Sequence, residues 1–362
     1  MKKSLVALAV LAASGAAMAQ SSVQIYGVAD VWAGSQTVKV NGTKRYPRDF
    51  AFVPDYGSKT GLFDGGVSNS RFGFKGSEDL GGGLKANFQL EQGFNLDDGG
   101  QAEDGKAFNR QAWVGLSGGF GAVKFGRAYT AFDDVSGAAA SVFDSKLAPI
   151  NNIFVSTWAS TRVDNTIRYE TPTFSGFSGA FSYSFGEDKT ATTSASKLYA
   201  LSGKYENGPL MLGAGYAKVD GEADLSVVLD KFFGTSFGTV NGSLDATRLN
   251  ASYDFGVAKA LASYGRAKAK VAGDSARTNE WELGVEVPLA ANLALSAGYG
   301  RVTLKESGVK IGKANSFGAA LAYDLSKRTT VYAGFNQTKA EDVPKTGDLK
   351  QNIYAVGLKH TF

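Results

Sequence analysis

Cysteine is absent from the 362 residues, histidine occurs once and proline seven times. The missing cysteines exclude a disulfide framework, so stability has to come from size and hydrogen bonding. A single histidine, His360, rules out His-dependent triads and His-rich metal sites. Although 43% of the residues are hydrophobic, mean hydropathy is only -0.13, and no apolar run approaches the roughly 20 residues of a spanning helix. The formal charge of +4 is too mild to suggest a nucleic-acid partner. What the chain does have is glycine, 46 residues, and aromatics at 12%, a combination that suits many strands and tight turns better than a helical bundle.

The N-terminus reads as a cleaved signal peptide, residues 1–19. Lys2 and Lys3 give a positive start, Leu5 to Ala13 an apolar stretch, and Ala17, Met18 and Ala19 a small-residue cleavage site ahead of Gln20. Cleavage leaves 343 residues, 20–362, and takes the charge from +4 to +2, because the segment holds two lysines and no acid. The chain is therefore expected to be exported.

Beyond that point short segments alternate at a period of two. Trp281, Leu283, Val285 and Val287 share one face, with Glu280, Glu282, Gly284 and Glu286 on the other. Leu293, Leu295, Ala297 and Tyr299 oppose Ala294, Ser296, Gly298 and Gly300. Phe317, Ala319, Leu321 and Tyr323 oppose Ser316, Gly318, Ala320 and Ala322. Such strands are half-buried, yet no helical segment is available to cover the second face. Short turns at 78–83, 118–121, 172–176, 207–209, 255–258, 288–292 and 325–328 alternate with long polar connections at 35–69, 96–107, 128–161, 187–195, 220–244, 270–276, 305–313 and 339–350. That asymmetry, with about sixteen strands of about ten residues, predicts an all-β fold, a transmembrane antiparallel up-and-down β-barrel of sixteen strands. In lipid the sheet must close on itself. Tyr169, Phe185, Tyr205, Tyr216, Tyr253, Tyr299 and Tyr323 fit an interfacial girdle, and the last segment, ending at Phe362, is expected to close against the first, Val23–Gly34.

The connection at 128–161 neither alternates nor turns back. Its apolar side chains (Phe132, Val142, Phe143, Leu147, Ile153, Phe154 and Trp158) argue against disorder, so it is expected to fold inward as a constriction loop.

The chain resembles the general porins of beta-proteobacteria. The motifs are SSVQIYGVADVWAG at the first strand, SRFGFKGSEDLGGGLKANFQLEQGF (70–94), FNRQAWVGLSGGFGAVKFGRAYT (108–130), DNTIRYETPTFSGF (164–177) and the closing VGLKHTF, and they span the mature chain. The resemblance implies a homotrimer of water-filled barrels, a third external loop folded into each, and a terminal Phe362 read as an assembly signal by the outer-membrane assembly machinery.

In a pore, selectivity comes from charges near the narrowest point. Phe72 and Phe74 share a face, which turns Arg71 and Lys75 inward; Lys85, Asn87, Gln89 and Glu91 follow by the same argument. If Trp113 points to lipid, Arg110 points inward. Around Ile167 and Tyr169 the inward set is Arg162, Asp164, Thr166, Arg168 and Glu170. Arg127 has the parity of Phe125 and aims away from the lumen unless a bulge at Gly126 turns it. The resemblance implies that Arg71, Arg110 and Arg162 form a basic ladder on the wall. Opposite them the loop offers Asp133, Asp134 and Asp144, joined by Glu91, as an acidic side; the alternative is that these acids only solvate the loop or cap its turns.

Other signals lead nowhere. Gly81–Gly83 lacks the strand–loop–helix context and the lysine of a phosphate cradle, and Asp97 with Asp98 reads as a solvated tip. The mild basic excess in 35–69 is either a solvated face or a contact for lipopolysaccharide phosphates. The expected function is an outer-membrane channel for passive diffusion of small hydrophilic solutes and ions, weakly anion-selective, with no reaction, cofactor or metal. A substrate-specific channel for a sugar or organic acid is the alternative.

Overall fold

Period-two alternation becomes antiparallel strands in the computed structural model, which describes residues 22–41, 57–187, 189, 195–221, 242–271, 274–343 and 347–362. The strands are β1 (Ser22–Asn41), β2 (Gly57–Asp64), β3 (Arg71–Gly81), β4 (Leu84–Gly93), β5 (Gln111–Gly118), β6 (Gly121–Tyr129), β7 (Arg162–Glu170), β8 (Phe177–Phe185) and β9 (Lys197–Asn207). They continue as β10 (Leu210–Gly221), β11 (Gly242–Asp254), β12 (Lys259–Val271), β13 (Asp274–Ala290), β14 (Leu293–Glu306), β15 (Val309–Ser326), β16 (Thr329–Val343) and β17 (Gly347–Thr361). From β3 onward each strand pairs with its sequence neighbour, β1 pairs with both β2 and β3, and β17 returns to β1 from Val28↔Thr361 to Asn41↔Asp348. The seam ends on reciprocal backbone bonds between Gly27 and Phe362, at 3.0 and 3.1 Å. Among the described residues the sheet closes with no free edge, as hydrocarbon requires.

Seventeen segments make sixteen crossings. The outer half of β1 pairs with β2 and its inner half with β3, so β2 and β3 form one strand interrupted at 65–70. Buried Asp30 holds the interruption: its carboxylate accepts the N–H groups of Gly66, Val67 and Ser68 at 3.2, 2.9 and 2.7 Å and the Tyr332 hydroxyl at 2.5 Å.

The apolar members of each alternating set are exposed on one face, among them Ile25, Val114, Leu116, Phe125, Ile167, Leu201, Leu249, Leu283, Phe317, Leu321 and Val356. Of the expected girdle residues all but Tyr205 are exposed, and Tyr205 lies against Phe177 with ring centres 4.4 Å apart. The short turns fall where alternation puts them. Several long connections do not: β1 runs on to Asn41, β2 starts at Gly57, and β14 and β15 meet across the left-handed pair Ser307 and Gly308. β15 reaches 18 residues, well beyond the 9–11 that cross a bilayer. Those extensions are mostly polar, broken only by isolated apolar residues such as Val38 and Val309, so hydropathy shows no sustained period there although backbone pairing continues. The signal segment 1–19, residues 42–56 of the 35–69 loop (with Lys44, Arg45, Arg48, Asp49 and Asp55) and residues 222–241 lie outside the described residues.

Candidate functional site

The connection between β6 and β7, residues 130–161, carries only short helical turns. Its backbone is met by side chains from strands far away in sequence. Glu282 accepts the Ser141 N–H at 2.8 Å and its hydroxyl at 2.6 Å. Glu280 accepts the N–H groups of Val155 and Ser156, at 2.9 and 3.2 Å. The Ser296 hydroxyl accepts the Val142 N–H at 2.7 Å, and the Asn336 amide donates to the Leu147 carbonyl at 2.9 Å. Arg248, fully buried, donates to the Ser136 carbonyl at 2.8 Å and the Ser156 hydroxyl at 2.7 Å, its guanidinium between Phe132 and Phe154. These partners alternate with exposed Leu249, Trp281, Leu283 and Phe317, so they occupy the opposite face of the sheet. Glycine makes the approach possible: a Cβ on Gly298 would fall 1.8 Å from the Ser141 hydroxyl, and one on Gly318 would fall 2.1 Å from the Leu147 carbonyl.

One segment of this connection is strained. Val142, Phe143 and Asp144 have φ of 53, 59 and 51°, a left-handed run that costs each L-residue energy and persists only where the surroundings impose it. The bonds from Glu282 and Ser296 at Ser141 and Val142 impose it.

The wall of β3–β7 carries the basic residues. Arg110 donates from Nε to Glu91 at 2.7 Å and lies near the Tyr129 hydroxyl at 3.2 Å. Arg71 Nε stands 3.6 Å from the same carboxylate. Glu91 also accepts the Tyr26 hydroxyl at 2.9 Å and is almost fully buried. Arg162 stacks on the Tyr129 ring at 4.8 Å and makes no ion pair among the described residues. Arg127 does turn to this side. The β6–β7 register shifts between Gly126 and Ala128, opposite Asn165 at φ 52°. The Arg127 side chain then reaches the Asn109 carbonyl at 2.6 Å, Asp164 at 2.7 Å and Glu103 at 3.5 Å. Arg110, Arg127 and Arg162 line a cavity of about 770 Å³ together with Lys146, whose proton affinity burial pushes down, and with Asp64, Asp97, Asp98 and Glu103.

Several expected placements are corrected. Glu91 is not opposite the arginines but between two of them, because β3 and β4 are neighbours and Glu91 lies directly across from Gly73. Trp113 does not face lipid: Val114 and Leu116 take the exposed positions, and Lys124 Nζ sits 4.9 Å from the indole centre on the other side. Arg110 still points inward because it precedes β5 and escapes strand alternation. Asp134 is committed to Arg168 at 2.6 Å and to the Ser202 hydroxyl at 2.9 Å. That leaves Asp133, bonded to the Ser160 hydroxyl, and Asp144, 3.0 Å from the Asn151 amide, around one cavity of about 340 Å³. Burial raises the proton affinity of both; Asp144 moves from 3.8 to about 6. Arg168, Arg248, Glu280 and Glu282, given no role by the sequence reading, hold the connection in place.

A closed antiparallel barrel with an apolar exterior and charged side chains on its inner face is an outer-membrane β-barrel channel. Comparison with known proteins narrows the class. The family described as Gram-negative porin matches residues 4–343. Outer membrane porin protein 32 of Delftia acidovorans is 34% identical, covering 99% of this chain and 95% of that protein. Major outer membrane protein P.IB of Neisseria meningitidis serogroup B is 31% identical over the whole of both chains. Among solved structures, an anion-selective porin from Comamonas acidovorans matches with a TM-score of 0.72 and 28% identity, covering 94% of this chain and all of that one. The chain belongs to the Gram-negative porin family, and its place is the outer membrane.

Proposed function

We propose that residues 128–161 fold into the lumen and narrow it against the wall of β3–β7. The resulting eyelet filters small hydrophilic solutes by charge, with a weak preference for anions. One observation carries this reading: the connection is bonded across β7–β16, while among the described residues Arg71 and Arg162 have no hydrogen bond or ion pair to it and Arg110 meets it only at the Tyr129 hydroxyl, at its very start. On that wall two arginines share one carboxylate and a third has none, which leaves a net positive strip. Guanidinium stays ionised in such a row. The loop answers with Asp133 and Asp144 only, since Asp134 is spent on Arg168. The description of the Comamonas porin as anion-selective agrees in sign.

The reading contains no reaction. His360 stands on the exposed face of β17, beside Thr329 at 2.9 Å. A homotrimer, cleavage after Ala19, recognition of Phe362 during assembly and contact with lipopolysaccharide belong to the same proposal and rest on the resemblance and on the N-terminal pattern. Reversal potentials in a KCl gradient across planar bilayers test the charge filter. Anion preference is expected, and cation preference overturns it. Saturable block by one neutral sugar would favour the substrate-specific alternative.

A further inference from the structure

Below the arginines, toward the short-turn end that faces the periplasm in such barrels, the same wall holds a second cavity of about 360 Å³. Two aromatic rings line or border it on the inner face, each with a lysine over it: Lys124 Nζ lies 4.9 Å from the Trp113 centre and Lys75 Nζ 5.1 Å from that of Tyr26. A tryptophan on the aqueous face of a barrel is costly unless its ring has something to cover. Its own polar atom is already satisfied, because Nε1 donates to the Gln111 amide oxygen at 3.0 Å, so what remains to offer is the ring. Lys124 is tied to Glu170 at 2.6 Å, whereas Lys75 makes no ion pair among the described residues and is exposed. Amides complete the lining, with Gln89 donating to the Tyr26 hydroxyl at 2.5 Å.

We propose that this cavity is a binding subsite for a planar aromatic carboxylate, distinct from the arginine eyelet. The arene stacks on Trp113 and the carboxylate pairs with Lys75. A flat ring gains from the indole and an anion from the lysine, so neither a small aliphatic carboxylate nor an aromatic cation satisfies both halves. The volume is within the range of small-molecule sites.

The test is block of single-channel chloride current through the full-length protein by benzoate, with acetate and benzylammonium as probes of the two halves. Benzoate is expected to block at a concentration at least tenfold lower than acetate, and benzylammonium to leave the current unchanged. Trp113→Ala and, separately, Lys75→Gln are each expected to raise the half-blocking benzoate concentration about fivefold or more, with Trp113→Phe recovering most of the loss. Lys75→Gln alters an exposed side chain, so it reads the site even where Trp113→Ala folds poorly. Equal block by benzoate and acetate overturns the subsite. So does benzoate block that survives Lys75→Gln in channels of normal conductance. Either result leaves the eyelet proposal standing, because that one is read from reversal potentials.

Discussion

Arg162→Gln isolates the charge filter. Arg162 touches the Tyr129 ring and pairs with no carboxylate among the described residues, so replacing it removes one positive charge and strands no partner. Arg110→Gln is less clean: it leaves buried Glu91 with Arg71 alone at 3.6 Å. An ion passing about 6 Å from a unit charge in water feels about 0.7 kcal/mol. Screening at 0.1 M salt, with a Debye length of about 10 Å, cuts this to about 0.4 kcal/mol. Anion and cation feel opposite signs, so their ratio changes by about 0.8 kcal/mol, or about fourfold. At 1 M the Debye length of about 3 Å leaves a change of less than about 1.5-fold. Reversal potentials of purified Arg162→Gln channels at both salt concentrations measure this directly. Unchanged selectivity at 0.1 M removes Arg162 from the filter. A fall that persists at 1 M points instead to a change of shape, with the loop shifted after Tyr129 loses the guanidinium stacked on its ring.

Glu280→Ala removes the acceptor for two loop N–H groups, at a cost of about 1–3 kcal/mol for each buried donor left unsatisfied, and takes away one of the three acids whose charges act on buried Arg248; larger and noisier single-channel currents are expected, and an unaltered trace refutes the anchoring role. Asp144 is charged above about pH 6 and neutral below. Lowering pH from 7 to 5 should therefore strengthen anion preference with a midpoint near 6, and Asp144→Asn should abolish the step. The sign for stability follows. With a folded value of about 6 against 3.8 unfolded, the folded carboxyl binds more protons between these values, so this group favours folding as pH falls through that window and opposes it most above 6. Deleting Phe362 removes two backbone bonds to Gly27, each worth about 1 kcal/mol. The purified chain should still fold into vesicles while the outer-membrane yield in cells falls several-fold; an equal loss in both assigns Phe362 to seam closure alone.

Alternation made the barrel readable because lipid punishes every lapse: a one-residue slip turns a whole strand's apolar set to the wrong face. That is why β13–β15 could be oriented from Trp281, Leu295 and Phe317 alone. Where strands leave the membrane the penalty ends. The extensions of β1, β14, β15 and β16 therefore looked like loops although their ladders continue. The interruption at 65–70 had no local signal either, since its organiser, Asp30, sits on another strand and takes its fourth bond from Tyr332.

For the proposed eyelet, parity turned Arg71 and Arg162 inward, while Arg127 needed a bulge, and the β6–β7 register does shift after Gly126. Parity tells which face a side chain takes and never what waits there. Glu280 and Glu282 were correctly set apart from Trp281 and Leu283, yet their partners, Ser156 and Ser141, lie 124 and 141 residues away. The overlooked signal was size rather than charge. Gly298, Gly300 and Gly318 leave the inner face of β14 and β15 too shallow to fill itself, and the loop occupies that shallowness. Filtering and anchoring charges thereby separate physically. In the proposed eyelet the filtering charges are Arg71 and Arg162, both partly exposed, whose fields would reach a passing ion. Arg248, Glu280 and Glu282 are buried under the loop, where they hold backbone and face no solute. A substitution in the second group can change the width of the opening, and one in the first its sign. Trp113 stands outside both groups, an inward-facing residue for which neither width nor sign supplies a reason.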